Sequence, residues 1–391
     1  MSTTTAVLPA TASRLHVLQI VGNAIVGGME ASVERLVERL PPQRVGITAL
    51  CPFESPFTDR LRSLGADVVI ATITEEPSWH AIQLASALVR ASAVDVIHTH
   101  LPNAHVLGGI VGRLVDKPVL ATIHGRQLTA LDLEVHRAAS THLAAVCRHS
   151  HLHALGVGVH PKHLHLVPNG VDTEVFSARH PRWGALRSRF GLGADVPLVG
   201  FVGRLSWEKG PDVFLRAALA VHAARPDAHL ILVGEGPMLA QLQSFIERFD
   251  LARNVHLAGR QTAMPAVFAE LDVVVSSSRS EAMPLAVMEA MASGRPVVAC
   301  KVGAVPDLLQ HGVTGWLVDE GDYEGLASRV LELLDDDALR AAAGHAGRLR
   351  AVERFALSAQ VEATYELLAR LAGRIALPLR EDVRSRVSDG R

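Results

Sequence analysis

Cysteine is nearly absent: Cys51, Cys147 and Cys300 are the only three in 391 residues, and each closes an apolar run far from the others. Such spacing excludes a disulfide framework and a cysteine-ligated metal, and points to buried free thiols in a reducing, cytoplasmic setting. Charge of one sign is also lacking. Lys plus Arg number 38 against 40 Asp plus Glu, so no global field recruits nucleic acid or an anionic membrane. No apolar run reaches the roughly 18 residues of a membrane span, which limits membrane contact to a peripheral one at the inner face. The opening MSTTTAVLPATAS lacks a basic start and a long apolar stretch, and reads as a loose tail instead of a signal peptide. Aromatics are scarce at 4%; with 49% apolar and 20% charged residues, the composition is that of a soluble globular protein.

What is present is a rhythm. Short runs rich in Val, Ile and Leu (RLHVLQIVG, RVGITALC, ADVVIATI, DVIHTH, PVLATIHG, HLAAVC) alternate with helical patterns, and the rhythm restarts after LHLVPNGVD with VPLVGFVGRL, AHLILVGEG, NVHLAGR, DVVVSSS and RPVVAC. Near-continuous apolar strands, each followed by a helix, imply parallel sheets covered on both faces. Two such sets predict an α/β protein of two doubly wound, Rossmann-like domains, about what a chain of this length suggests. The first spans residues 14–180 and the second 181–355, with a strand-free junction near 173–196 rich in Pro and Gly. Beyond Pro306 the chain reads as mostly helical. A last helix near 356–374 precedes a charged end, ALPLREDVRSRVSDGR, expected to fray. In the first helix Val33, Leu36, Val37 and Leu40 share one face, while Glu34, Arg35, Glu38 and Arg39 point elsewhere.

Doubly wound sheets bind ligands outside the carboxyl ends of their strands, so the loops there carry the chemistry. Gly27 and Gly28 lie between the first strand and its helix; they suit an anion at a helix N-terminus, and equally a tight turn. Arg204 leaves a strand end and Lys209 precedes a helix start marked by Gly210 and Pro211. Two cations there suit a diphosphate, although solvated surface cations are common. Glu281 ends the loop after DVVVSSS, and Glu289 falls inside the next, mostly apolar helix, whose start is marked by Pro284. A carboxylate on that helix can accept two hydroxyl hydrogen bonds, as a ribose offers, or can face solvent.

Together VGRLSWEKG, the Glu281 and Glu289 pair, GGME, VPNGVD and EAMASGRPVVA closely resemble the retaining glycosyltransferases of family 4, over residues 15–365. The resemblance implies the two-domain GT-B fold, with the C-terminal helix returning to the N-terminal domain. It implies a hexosyltransferase with a nucleotide diphosphate sugar as co-substrate, held mainly by the C-terminal domain, and a polysaccharide, glycolipid or small-molecule acceptor presented by the N-terminal one. Carried over residue by residue, Glu289 binds the ribose, Arg204 and Lys209 the diphosphate, and Glu281 with Ala282, Met283, Pro284 and Leu285 the donor sugar and phosphate. Gly27 and Gly28 close over the phosphates, His124 stands near the reacting sugar, and Asn169 and Gly170 are structural at the domain edge. Relatives often carry glycine where this chain has Ala282. Gly234 and Gly236 are expected to line the nucleotide side of the cleft.

No cofactor or metal is expected. Asp335, Asp336 and Asp337 mimic a metal-binding Asp-x-Asp, but their position between two helical patterns suits helix capping. His149 and His153 share a helix face without a third ligand nearby. His98 and His100, at a strand end, and Arg126 are candidates for acceptor contact. Two other functions stay open: a nucleotide-sugar epimerase or hydrolase on the same fold, and a catalytically silent sugar-nucleotide-binding subunit.

Overall fold

A computed structural model describes residues 14–25, 27–178 and 184–375. The N-terminal tail, residues 1–13, and the charged end from 376 lie outside the described residues. Seven parallel strands form the first sheet: β1 (Leu15–Val21), β2 (Val45–Cys51), β3 (Asp67–Ile70), β4 (Val96–His100), β5 (Val119–Ile123), β6 (His142–Ala145) and β7 (Leu164–Leu166). Six parallel strands form the second: β8 (Leu198–Val202), β9 (His229–Val233), β10 (Val255–Gly259), β11 (Val273–Ser276), β12 (Val297–Cys300) and β13 (Trp316–Val318). Their orders are β3-β2-β1-β4-β5-β6-β7 and β10-β9-β8-β11-β12-β13. Each sheet therefore reverses its winding between its first and fourth strands, and a crevice opens at the carboxyl ends there.

Two strands escape the hydrophobic pattern. Both β7 and β13 are three-residue edge strands, too short for periodicity to separate them from a loop. Strand β13 sits within the region read as helical, and its pairing with β12 through Cys300 and Val318 supplies what its own sequence does not.

The core of the second domain is one continuous cluster built on Leu198, Phe201, Leu232, Val274, Val298 and their neighbours, and it also takes in Val171, Phe176, Leu186 and Leu192 from the connecting segment. Within that segment Arg187 is fully buried. Its guanidinium donates to the carbonyls of Glu270, Gly193 and Val196 at 2.7–3.1 Å and pairs with Asp272 at 3.1 Å. Glu270 in turn accepts from the backbone N–H groups of Leu186 and Arg187 at 3.2 and 2.6 Å. A buried charge this well satisfied fixes the connector to the start of β8.

The chain crosses between the domains a second time near residue 356. Val171 N–H donates to Phe355 at 2.8 Å and Leu357 N–H donates to Val171 at 2.9 Å, after which helix Leu357–Leu371 lies on the first domain. Its Leu357, Val361, Leu367 and Leu368 pack with Leu15, Val17, Val33, Leu36 and Val37. The first helix, Gly28–Arg39, thus buries the face its spacing predicts. Gln360 Oε1 accepts from Gly170 N–H at 2.7 Å, so the glycine of VPNGVD ties the crossing to the returning helix.

The three thiols are buried and free, and burial pushes Cys51 up to about 12 and Cys300 up to about 11. Among the described residues no helix is long and apolar enough to cross a membrane.

Removing the Arg187 head by Arg187→Met leaves Glu270 and Asp272 buried without it, and should lower unfolding stability by about 3–5 kcal/mol in urea titrations. A second prediction follows from histidine burial, which lowers His142, His165 and His256 to about 4. Between the ordinary value of 6.5 and about 4 the unfolded chain binds more protons than the folded one. Stability is thus complete above pH 6.5 and falls as the pH drops toward 4, and the urea midpoint measured from pH 7.5 to 4.5 should decline throughout that window.

Candidate active site

The loops that follow β8 and β11 meet at the switch point of the second sheet. Lys209 closes a short helical turn, Trp207–Lys209, and Gly210 then takes a left-handed conformation that starts helix Pro211–Ala224. The Lys209 ammonium reaches both oxygens of Glu281, at 2.8 and 2.7 Å, and Ser278 Oγ donates to the same carboxylate at 2.7 Å. Glu281 is only 7% exposed while the Lys209 side chain is 32% exposed, so the pair is sheltered on its carboxylate side and open on its ammonium side. Arg204 lies beyond the end of β8 with an exposed side chain.

The loop after Glu281 is held from behind. Gly303 has φ +54°, and a β-carbon there would fall 1.6 Å from the Glu281 carbonyl oxygen; Ala304 N–H also donates to the Ala282 carbonyl at 3.0 Å. Ala282 itself is not among the residues with positive φ, so this backbone does not require a glycine there. Helix Leu285–Ala292 follows, with Pro284 as its N-cap and not its first turn. Alanine, leucine, methionine and glutamate are strong helix formers, and the first N–H groups of the helix open toward the same crevice as Lys209. Gly234, with φ +142°, is pressed against the loop carrying Arg204: a β-carbon would fall 1.9 Å from the Gly203 carbonyl oxygen. The close approach shapes that loop from behind.

Glu289 is 7% exposed within this apolar helix. Its partner comes from the other domain: Arg35 Nη2 lies 2.5 Å from Glu289 Oε1, and the Arg35 guanidinium stands 5.4 Å from the centre of the Phe176 ring. One turn further along, Arg39 pairs with Asp172 at the crossing. Of the two arginines read as pointing elsewhere on the first helix, Arg35 thus clamps it to the second domain and Arg39 to the crossing segment. Nothing in their i, i+4 spacing distinguishes them from ordinary surface cations.

The same helix brings its N-terminus to the cleft. Gly27 is its N-cap, and a β-carbon on Gly28 would stand 4.0 Å from Leu285 Cδ1, so the two helix starts approach each other. Glu30, in the first turn, is buried and accepts from Asn23 Nδ2 at 2.8 Å; burial raises its carboxyl above the ordinary carboxylate value, against the pull of that hydrogen bond. Asn169 Nδ2 donates to the Met283 carbonyl at 3.4 Å, so the VPNGVD turn reaches the loop after Glu281 as well as the domain edge.

His124 follows β5, half-buried, with Nε2 2.9 Å from His100 Nδ1. His98 and His100 correct their sequence reading. They lie within β4 rather than at an open strand end and are 1% and 2% exposed, because alternate β4 side chains face helices Gly28–Arg39 and Leu357–Leu371, so neither ring reaches the surface in this structure. Burial lowers His98 to about 3 and His124 to about 4. Arg126 Nε donates to His149 Nε2 at 3.4 Å, and His153 Nδ1 accepts from Leu128 N–H at 3.2 Å, so both helix histidines fasten the loop after β5. Asp336 caps helix Asp337–Arg354 by accepting from Leu339 N–H at 2.8 Å.

Sequence comparison agrees with this architecture. The profile of the group 1 glycosyl transferases matches residues 196–336, and that of glycosyltransferase family 4 matches residues 26–175. A GDP-mannose-dependent alpha-(1-6)-phosphatidylinositol monomannoside mannosyltransferase of Mycolicibacterium smegmatis is 31% identical over 269 residues, covering 64% of this chain and 69% of the relative. A UDP-Gal:alpha-D-GlcNAc-diphosphoundecaprenol alpha-1,3-galactosyltransferase of Escherichia coli is 24% identical over 353 residues, 85% of this chain and 91% of the relative. Among solved structures, Anabaena HepE in complex with UDP-glucose superposes with a TM-score of 0.81 at 22% identity, covering 91% of this chain and all of that one (100%). Thermosynechococcus elongatus sucrose-phosphate synthase gives 0.74 at 21% identity, covering 93% and 100%. With its two facing Rossmann-like domains and both halves matched in order, the chain belongs to the family 4, group 1 glycosyltransferases of GT-B fold.

Proposed function

We propose that the chain transfers a sugar, with retention of configuration, from a nucleoside diphosphate sugar lodged between the two domains to an acceptor presented by the N-terminal domain. The observation that carries this reading is the convergence of Lys209, Glu281 and the start of helix Leu285–Ala292 on one side of the cleft with the start of helix Gly28–Arg39 on the other. The named relatives act from UDP-galactose and GDP-mannose onto lipid-linked acceptors, which favours a glycolipid or lipid-linked sugar as acceptor.

Breaking a glycosyl–phosphate bond leaves negative charge on the diphosphate and positive charge on the sugar. Arg204, Lys209 and the unpaired N–H groups of the two helix starts are donors where the phosphate charge grows. Glu281, held by Lys209 and Ser278, receives donor-sugar hydroxyls, and the Glu289 carboxylate receives those of the ribose. The acceptor oxygen bonds to the anomeric carbon from the face the diphosphate leaves, and its proton passes to the departing phosphate oxygen, so no protein nucleophile is needed. Gly234 shapes the nucleotide side from behind, and closure of the cleft excludes water.

Lys209→Met should lower kcat by about 10² to 10³, the usual cost of losing one donor to developing charge, in a direct assay of sugar transfer. Glu289→Ala should abolish the stabilisation by about 2.7 kcal/mol that a nucleoside diphosphate at 100 times its Kd confers on the wild type in thermal unfolding. Full turnover in both variants would refute the assignment, and an inverted product anomer by proton NMR would refute retention.

A further inference from the structure

The face of β4 turned toward the returning C-terminal helix carries His98 and His100, and β5 leads into His124. Behind them stands Gln19 of β1, fully buried, which the sequence gives no reason to single out. Its Oε1 lies 2.9 Å from His100 Nε2, and His100 Nδ1 lies 2.9 Å from His124 Nε2. The three side chains form a line from the centre of the sheet to the cleft.

Proton positions along that line follow from donor and acceptor inventory. The structure turns the Gln19 oxygen toward His100 and leaves Gln19 Nε2 buried without a hydrogen-bond partner; an amide oxygen only accepts, so in this orientation His100 Nε2 carries a hydrogen. A neutral imidazole has one N–H, which leaves His100 Nδ1 a bare acceptor. The proton between the two rings therefore sits on His124 Nε2, and the second nitrogen of His124, Nδ1, keeps its lone pair. Burial keeps these rings neutral, His100 well below its ordinary value and His124 at about 4.

We infer that Gln19 and His100 are positioning residues that fix His124 as its Nε2–H tautomer, so that His124 meets the reacting sugars as a hydrogen-bond acceptor and not as an acid. This rests on the glycosyltransferase reading above and on the place near the reacting sugar that the family resemblance implies for His124. The ligand group it takes is a sugar hydroxyl, whose O–H points at Nδ1; no proton leaves the ring during transfer. A cavity of about 20 Å³ beside the rings is walled by Ser32, Leu36, Thr122, Gln360 and Thr364, which is room for about one water molecule and not for a swung imidazole. The returning helix thus has a task at the site without touching a substrate.

The test begins with the unaltered enzyme: nitrogen-15 NMR of the imidazoles at pH 7 should report His124 as the Nε2–H form. His100→Leu removes the acceptor opposite His124 and should give a mixture of tautomers with kcat about tenfold lower, the worth of one hydrogen bond, while the nucleotide-sugar KM stays within about twofold. His100→Asn can present a carbonyl oxygen at the Nδ1 position and should restore most of the kcat. Gln19→Leu should give a milder loss of the same kind, and serves if His100→Leu does not fold. His124 found as the Nδ1–H form or protonated in the wild type, or a folded His100→Leu with unchanged tautomer and kcat, would overturn the inference. A wild type that transfers no sugar would sink the transferase reading instead, and the tautomer spectrum would still decide the relay.

Discussion

A carboxylate placed on an apolar helix has to find a partner, and for Glu289 the partner is Arg35 of the other domain, 2.5 Å away. Much of the cleft depends on that requirement. Burying a charge is tolerable only when a counter-charge and good hydrogen bonds accompany it, so the helix carrying Glu289 and the helix carrying Arg35 are held face to face. Their N-termini consequently lie side by side, at Gly28 and Leu285. The ion pair and the two helix starts are one arrangement, because the two helices that carry the charges also carry the N–H groups.

The rest of the second domain's side of the cleft follows a similar logic. Glu281 is buried and is satisfied locally, by Lys209 and Ser278, whereas Glu289 is satisfied across the cleft. One glutamate is therefore fixed within its own domain and the other depends on how the domains sit. The connector supports both: Arg187 anchors it to the second sheet, and the Val171, Phe355 and Leu357 hydrogen bonds lead the chain back to the first.

On the side of the first domain the returning helix covers the polar line of Gln19, His100 and His124. Buried imidazoles kept neutral are costly to protonate, so the same burial that orders the site also makes the fold sensitive to acid. Structure and chemistry share this term; the histidines of β4 are part of a packed sheet face and simultaneously back His124, which follows β5.

The two parallel sheets were legible because each long strand is a buried run of Val, Ile and Leu, a pattern that survives without any tertiary information. The loops around Gly27, Lys209 and Glu281 were legible because they stand at strand ends, where doubly wound sheets place ligands, and because GGME, VGRLSWEKG and the glutamate spacing are family motifs. Strands β7 and β13 were not, since three residues carry no period and pairing alone defines them. The sequence by itself thus determined the fold class and the family. Only the tertiary structure decided that Arg35 pairs with Glu289, that His98 and His100 are sealed behind His124, and that Gln19 stands at the end of their line. Those contacts join residues far apart in the chain, and a sequence records side-chain chemistry and local period but not which distant groups share a buried space.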